Sequence, residues 1–325
     1  MAARDSELAT IFGGSGFVGR HTVRAFAQKG WRVRAAVRRP DLAGHLQPMG
    51  VVGQIHAVQA NLRYRESVSR AVEAARAVVN LVGILDSAGH QTFEAVHIAG
   101  ARVVARAAKE AGAERLIHVS AIGADPRARS RYARSKAEGE AAVLEEFPGA
   151  IILRPSIVFG PEDDFFNRFA AMARLSPLLP LIGGGRTRFQ PVFVGDVAAA
   201  IVNAAEGRGR PGTVYELGGP EVFTFRALLD RVQAWTDRPR GYLSLPFWAA
   251  KLQALMLSPL PAGLRPITVD QVRMLRRDNT VSDEAAKEGR TLAELGVANP
   301  QSIEAVVPGY LERFKPRGEF SDFRG

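Results

Sequence analysis

The chain has 325 residues, 46% hydrophobic and 23% charged, enough to bury the core of a globular protein of about two domains. It holds no cysteine, which excludes disulfides, thiolate nucleophiles and cysteine-held clusters, and its six histidines lack His-Glu-x-x-His spacing, so no metal is expected. Seven of its ten net positive charges fall in residues 1–150 without an aromatic–basic RNA motif or a basic helix. That distribution argues against nucleic acid and leaves an anionic membrane surface or a phosphorylated cofactor.

Residues 1–8 contain acids and no apolar run, so no signal peptide is expected. No segment approaches the roughly 18–20 apolar residues of a membrane span. Over the first 160 residues, apolar runs alternate with helix-length stretches. Strands are predicted at Leu8–Phe12, Arg32–Val37, 53–59, 77–83, 115–120 and 150–154, and helices at 16–29, 66–75, 92–111 and 132–146. Strands joined by helices require crossover connections and a parallel sheet covered on both faces. The expected fold class is therefore α/β: a doubly wound parallel sheet, a smaller C-terminal α/β domain of the substrate-binding type, and an extended tail. The expected boundaries are 1–160 for a dinucleotide-binding core, 161–260 for the smaller domain, interleaved with a return to the sheet at about 186–206, and 261–325 for C-terminal helices and a docking tail.

Ligands of doubly wound sheets lie at the carboxyl ends of the strands. The first strand runs straight into Gly13-Gly14-Ser15-Gly16-Phe17-Val18-Gly19, with glycines spaced G-x-x-G-x-x-G before a helix. A helix start of this kind aims free N–H groups at an anion, and the glycines admit a close pyrophosphate. Gly13, Ser15, Gly16, Phe17, Val18 and Gly19 are the candidate contacts. The second strand ends in Arg38 and Arg39, with no acid before Asp41. At this position an acid meets the 2′-hydroxyl of NAD and an arginine the 2′-phosphate of NADP, so NADPH is the expected cofactor; a solvated strand end is the plainer alternative. After the third strand, Asn61 and Leu62 are placed to meet the adenine edge. After the fourth, Leu81, Val82 and Gly83 leave room for a cofactor across the strand ends.

Tyr132 and Lys136 stand four apart on a predicted helix, on one face. An adjacent ammonium is expected to lower the tyrosine pKa from its usual ~10, fitting it for general acid–base work, and to hold a nicotinamide ribose. A surface Tyr-x-x-x-Lys pair is the ordinary alternative.

The glycine turn, His118-Val119-Ser120, Tyr132-x-x-x-Lys136 and Arg154-Pro155-Ser156-Ile157-Val158-Phe159-Gly160-Pro161, in that order, are similar to the short-chain dehydrogenase/reductase family in its extended or atypical form. The likeness covers residues 8–237; Gln190–Ala198 and Tyr215–Pro220 resemble the family's return to the sheet and the opening of its smaller domain. The resemblance implies a Rossmann-type dinucleotide site, with Pro155, Ser156 and Ile157 cradling the nicotinamide and Ser120, Tyr132 and Lys136 as the catalytic set. That set is diluted here. Ala121 and Ile122 follow Ser120 where the family has a run of hydroxyls, and Tyr132 comes only 12 positions later, beyond Arg127, Arg129 and Arg131. Cofactor binding is thus the firmer expectation, with catalysis residual or vestigial.

Further on, residues 247–257 form an apolar stretch whose one charge is Lys251, followed by Pro259, Pro261 and Pro266, by residues 270–279, and by Val307-Pro308-Gly309-Tyr310-Leu311 ahead of a basic terminus. This arrangement resembles those family members that serve as NAD(P)H-binding accessory subunits of respiratory complex I. The resemblance implies a structurally held NADPH and partners among the subunits of a membrane-bound respiratory complex. It also implies a peripheral position at the inner membrane, on the bacterial cytoplasmic face or the matrix side of a mitochondrion, with 247–257 as a docking or membrane contact. A free NADPH-dependent reductase or epimerase using Tyr132 and Lys136 is the alternative.

Overall fold

The computed structural model describes residues 7–258 and 267–316; Pro259, Pro261, Pro266 and the basic terminus lie outside the described residues. The apolar runs form strands β1 (Leu8–Phe12), β2 (Arg32–Val37), β3 (Ile55–Gln59), β4 (Ala77–Asn80), β5 (Arg115–Val119), β6 (Ile151–Pro155) and β7 (Val214–Leu217). They make one sheet in the order β7-β6-β5-β4-β1-β2-β3, every neighbouring pair parallel. After β3 the chain crosses to the far side of β1 to lay down β4, so the winding direction reverses between β1 and β4. In such a sheet the crevice for a ligand opens at that point.

Five helices cover this sheet: α1 (Phe17–Gln28), α2 (Arg65–Val72), α3 (Gly100–Glu110), α4 (Arg131–Glu146) and α5 (Val194–Ala205). Val68 and Val72 of α2, Val104 and Ala108 of α3 and Val143 of α4 share one core with Phe12, Val78, Leu116 and Ile152 of the sheet. A second layer pairs α1 with α5. The structure departs locally from the expected elements in two places. β4 stops at Asn80, not 83: Leu81 N still makes the last ladder bond, to Phe12 O of β1 (3.0 Å), and Val82 N then turns to the Asn80 side chain (3.1 Å). The helix expected over 92–111 opens as a π-helical turn, Glu94–Ala99, before α3.

The chain divides into two units. The first comprises residues 1–155, 194–217 and 282–298; the second comprises 156–193, 218–281 and 299–325. The returning segment expected at 186–206 is thus Val194–Leu217, and another return, Ser282–Ala298, comes from the stretch assigned to the tail. In the first unit Ser282–Ala298 lines the edge strand: Glu216 N donates to Arg290 O (3.0 Å), and the Arg290 guanidinium to Val214 O (2.9 Å).

The second unit is built on aromatics. Phe159, Phe166, Phe189 and Phe225 are buried, with Phe165 and Phe169 packed edge-on among them. A parallel strand pair, Leu178–Ile182 with Gly241–Leu245, flanks this core, and the Ile303–Leu311 helix adds Ile303, Val307 and Leu311. Buried Asp163 holds that helix in place: it accepts Phe166 N (2.7 Å) and the Tyr310 hydroxyl (2.5 Å).

Candidate functional site

The glycine turn has a conformation that its sequence demands. Gly13 sits at φ +79°, and its N–H donates to Ala36 O of β2 (3.0 Å), while Gly16 N closes back on Gly13 O (3.0 Å). A Cβ on Gly19 would run into the Gly13 carbonyl and stand 2.8 Å from Gly14 backbone atoms, so helix and turn pack backbone to backbone. The N-cap of α1 is Gly16, which offers no side-chain acceptor to the first turn. The N–H groups of Phe17, Val18 and Gly19 therefore keep the anion-binding capacity of an uncapped helix start. Ser15 is half-buried, and its carbonyl accepts the Arg20 guanidinium (3.4 Å).

At the neighbouring strand ends, Arg38 and Arg39 are both exposed, and Arg39 forms a two-pronged bond with Asp41 (3.0 and 2.7 Å). The Asn61 side-chain oxygen is used locally by Arg63 N (3.1 Å), which leaves its amide nitrogen for a ligand. The Leu62 side chain packs into the core against Gly100. Leu81 and Val82 lie against the glycine turn: a Cβ on Gly13 would stand 3.4 Å from both Leu81 C and Val82 Cγ2. Gly83 is exposed, and a Cβ there would stand 3.4 Å from Lys136 Nζ.

Three further candidate groups, Ser120, Tyr132 and Lys136, lie at the end of β5 and on α4. Ser120, at the end of β5, is buried, and its hydroxyl has no hydrogen-bond partner in the described structure. A buried hydroxyl left unbonded costs about 1–3 kcal/mol, so this atom fits a ligand carbonyl or carboxamide. Tyr132 and Lys136 are buried as well, with Lys136 Nζ donating to Val119 O (3.2 Å). The expectation of a lowered tyrosine pKa is corrected. Burial pushes Tyr132 up to about 12 and brings Lys136 down to about 8 despite Glu140. At neutral pH the pair is thus a phenol beside an ammonium, a proton donor and not a base.

The sequence reading missed His97, which organises this cluster. Ile84 N can only donate, so His97 Nε2 accepts it (3.0 Å) and Nδ1 carries the proton to Ser135 Oγ (2.9 Å), which in turn donates to Tyr132 O (2.8 Å). The imidazole stacks on Phe93 (5.4 Å) and meets Tyr132 edge-on (5.5 Å). The π-helical turn can approach α4 this closely because residue 139 is glycine; a Cβ there would strike the His97 carbonyl. The available signal was a histidine on an apolar stripe, since His97, Ala101, Val104 and Ala108 share the buried face. His118 is buried beside Asn80, whose amide donates to Nδ1 (3.1 Å).

Burial and the Lys136 charge bring both His97 and His118 down to about 3 from 6.5. Between these values the unfolded chain binds protons that the folded site refuses, so stability falls as pH drops through that window. Each histidine contributes up to about 1.4 kcal/mol per pH unit at the steepest part. Urea unfolding of the apo chain is expected to give a lower free energy at pH 5 than at pH 7, with a shallower fall in His97→Asn.

Pro155 closes β6 and accepts Ile122 N (3.0 Å). Ser156 and Ile157 belong to the second unit. There the Ser156 hydroxyl lies 2.7 Å from Asn279 Oδ1, which also accepts Ile157 N (2.9 Å).

Residues 9–218 match the model of the NAD dependent epimerase/dehydratase family. The chain is 39% identical over 294 residues to the mitochondrial NADH dehydrogenase (ubiquinone) 1 alpha subcomplex subunit 9 of Arabidopsis thaliana, covering 86% of this chain and 72% of that protein. To the protein of the same name in Mus musculus it is 37% identical over 315 residues, covering 95% and 80%. Among solved structures it resembles the NADPH-dependent quinone oxidoreductase QOR2 of Escherichia coli in its NADPH complex, with a TM-score of 0.72 and 20% identity over 93% of this chain and 99% of that one. The parallel doubly wound sheet, the uncapped glycine turn and these matches agree: the chain belongs to the NAD dependent epimerase/dehydratase family, an NAD(P)-binding family with a Rossmann-type fold.

Proposed function

We propose that this chain is an NADPH-holding accessory subunit of a proton-pumping NADH:quinone oxidoreductase, in which the dinucleotide stabilises the fold and is not turned over. One observation carries the reading. The likeness to the complex I subunits runs through 95% of the chain, whereas the family model ends at residue 218, so the shared sequence includes the C-terminal region. The site supports the same view. The cradle offers Gly13, Ser15, Gly16, Phe17, Val18 and Gly19 to a pyrophosphate, Arg38 and Arg39 to a 2′-phosphate, and Asn61 with the Leu62 backbone to an adenine. Leu81, Val82, Gly83 and Pro155 of the same unit are left for the nicotinamide half. A dinucleotide present at 100 times its Kd stabilises a folded chain by about 2.7 kcal/mol.

Docking has its own surface in the second unit. The Phe247–Met256 helix buries only Ala250 and Ala254 and turns Trp248 (69% exposed), Leu252, Leu255 and Met256 (72%) outward at spacings of four, seven and eight residues. An apolar stripe of this kind marks a contact with another subunit or with the headgroup layer. Among the described residues no helix is long and apolar enough to cross a membrane. The reading includes, as part of the proposal, a peripheral place on the cytoplasmic face of the inner membrane, or on the matrix face in a mitochondrion.

The lone Ser120 hydroxyl favours a second reading, a free reductase. A bound nicotinamide would supply hydride, Ser120 would hold the substrate carbonyl, and Tyr132, a phenol at neutral pH, would give the proton. Affinity purification of the tagged chain from detergent-solubilised membranes, with mass spectrometry of proteins and nucleotides, separates the two. The accessory-subunit reading expects respiratory-complex subunits and one NADPH per chain. A chain that arrives alone, and oxidises NADPH with a carbonyl panel unless Tyr132 is changed to Phe, establishes the reductase.

A further inference from the structure

The carboxyl end of β2 carries cations and an acid together, and their arrangement bears on which dinucleotide is held. Gly13 N bonds Ala36 O (3.0 Å), so the chain that follows, Arg38 to Asp41, emerges beside the phosphate turn. Pro40–Leu42 forms a 3-10 turn, pinned by Leu42 N to Arg39 O (3.1 Å) and Ala43 N to Pro40 O (3.0 Å), which holds Asp41 under the Arg39 side chain. Arg39 Nε lies 3.0 Å from Asp41 Oδ1, and Nη2 lies 2.7 Å from Oδ2. A phosphate monoester would take the same two guanidinium prongs. Arg38, also exposed, has no acid partner among the described residues.

We propose that Asp41 sets the preference between 2′-phosphorylated and unphosphorylated dinucleotide by competing with the 2′-phosphate for the Arg39 guanidinium. The inference rests on the reading of the first unit as a dinucleotide site. With Asp41 in place, Arg39 is masked: a 2′-phosphate must displace the carboxylate, while an unphosphorylated ribose leaves the pair intact and gains an acceptor for its 2′-hydroxyl. Arg38 gives the phosphate a cation that needs no exchange. The Arg39–Asp41 pair is solvent-exposed, at 68% and 57%, and exposed pairs are weak. The carboxylate is therefore displaceable, and its effect on affinity is moderate.

Fluorescence titration with NADPH and with NADH, on the full chain and on Asp41→Asn, Arg39→Ala and the double variant, tests this. All three changes fall on exposed side chains. Asp41→Asn is expected to tighten NADPH binding about three- to fivefold and to leave NADH unchanged or weaker, in keeping with the worth of a surface pair. Arg39→Ala is expected to weaken NADPH about tenfold or more. In the Arg39→Ala background the gain from Asp41→Asn should shrink to less than half, because the competition needs the guanidinium. An unchanged NADPH:NADH ratio in Asp41→Asn, or a full gain that persists without Arg39, overturns the proposal. Failure of the unaltered chain to bind either nucleotide overturns it together with the dinucleotide-site reading on which it rests.

Discussion

Replacing Arg154 with alanine is expected to lower the unfolding free energy by about 3–5 kcal/mol, the usual cost of removing one member of a buried ion cluster. Arg154 sits on β6 and reaches in two directions. Its Nε and Nη2 bond both carboxylate oxygens of Glu140 on α4 (2.9 and 2.6 Å), and Nη1 lies 3.8 Å from Glu216, its register partner on β7. Glu216 in turn accepts Ser282 N (2.7 Å), so the cluster joins three separated stretches of the first unit. The Glu140 side chain is only 6% exposed. Without the guanidinium, two carboxylates remain together away from water. The cost is in the orphaned charges, not in lost attraction, so the double variant Arg154→Met with Glu140→Gln should recover much of the loss. Urea titrations of the three proteins measure this; a cost below 1 kcal/mol in Arg154→Ala would show that water reaches the pair. Because Glu140 lies one helical turn from Lys136, the single variant should also loosen nucleotide binding.

The sheet was legible wherever a strand is an apolar run between breakers. Leu8–Phe12 and Arg32–Val37 have the expected bounds: β1 is buried on both faces from Ala9 to Phe12, and β2 is buried on both from Ala35 to Val37. β7 was harder. Val214–Leu217 is four residues long with a charge in the middle, and Glu216 is acceptable there only because Arg154 faces it in register. The nucleotide cradle was legible because backbone geometry forces glycine at Gly13 and Gly19, and few other demands do so at that spacing. The environment of Tyr132 and Lys136 was not. Their spacing places them on one face, but whether a tyrosine is acidified or made more basic depends on burial. Burial in turn depends on Phe93 and His97, 35 or more positions earlier in the sequence. A histidine with both nitrogens satisfied looks, in sequence, like any other. Likewise, Arg39 could be read as a phosphate ligand from its position, while its engagement by Asp41 depends on the turn at Pro40.

Substituting alanine for Gly19 is expected to abolish dinucleotide retention while leaving a folded but weakened chain. At residue 19 an added Cβ meets only backbone: the Gly13 carbonyl and the Gly14 Cα and carbonyl carbon. No side chain can swing aside, so α1 must move off the turn. Overpacking of this kind costs about 1–3 kcal/mol. The displacement has a second consequence, because the pyrophosphate site consists of the α1 N-terminus and the glycine turn held at one spacing. A shift of an ångström misdirects the N–H groups of Phe17, Val18 and Gly19, each of which should donate a charge-assisted bond worth about 1.5–3 kcal/mol. Loss of one such bond already weakens binding tenfold or more, and loss of two weakens it on the order of 100-fold or more. The unaltered chain should gain thermal stability with NADPH, about 2.7 kcal/mol at 100 times Kd, and Gly19→Ala should show almost none of that gain. Alanine at Gly30 provides the control, since a Cβ there meets nothing within 4 Å. Its positive φ of 84° costs stability alone, so Gly30→Ala should melt lower than the unaltered chain yet keep the full NADPH-induced shift. If both variants keep that shift, the anion site lies elsewhere than at the start of α1.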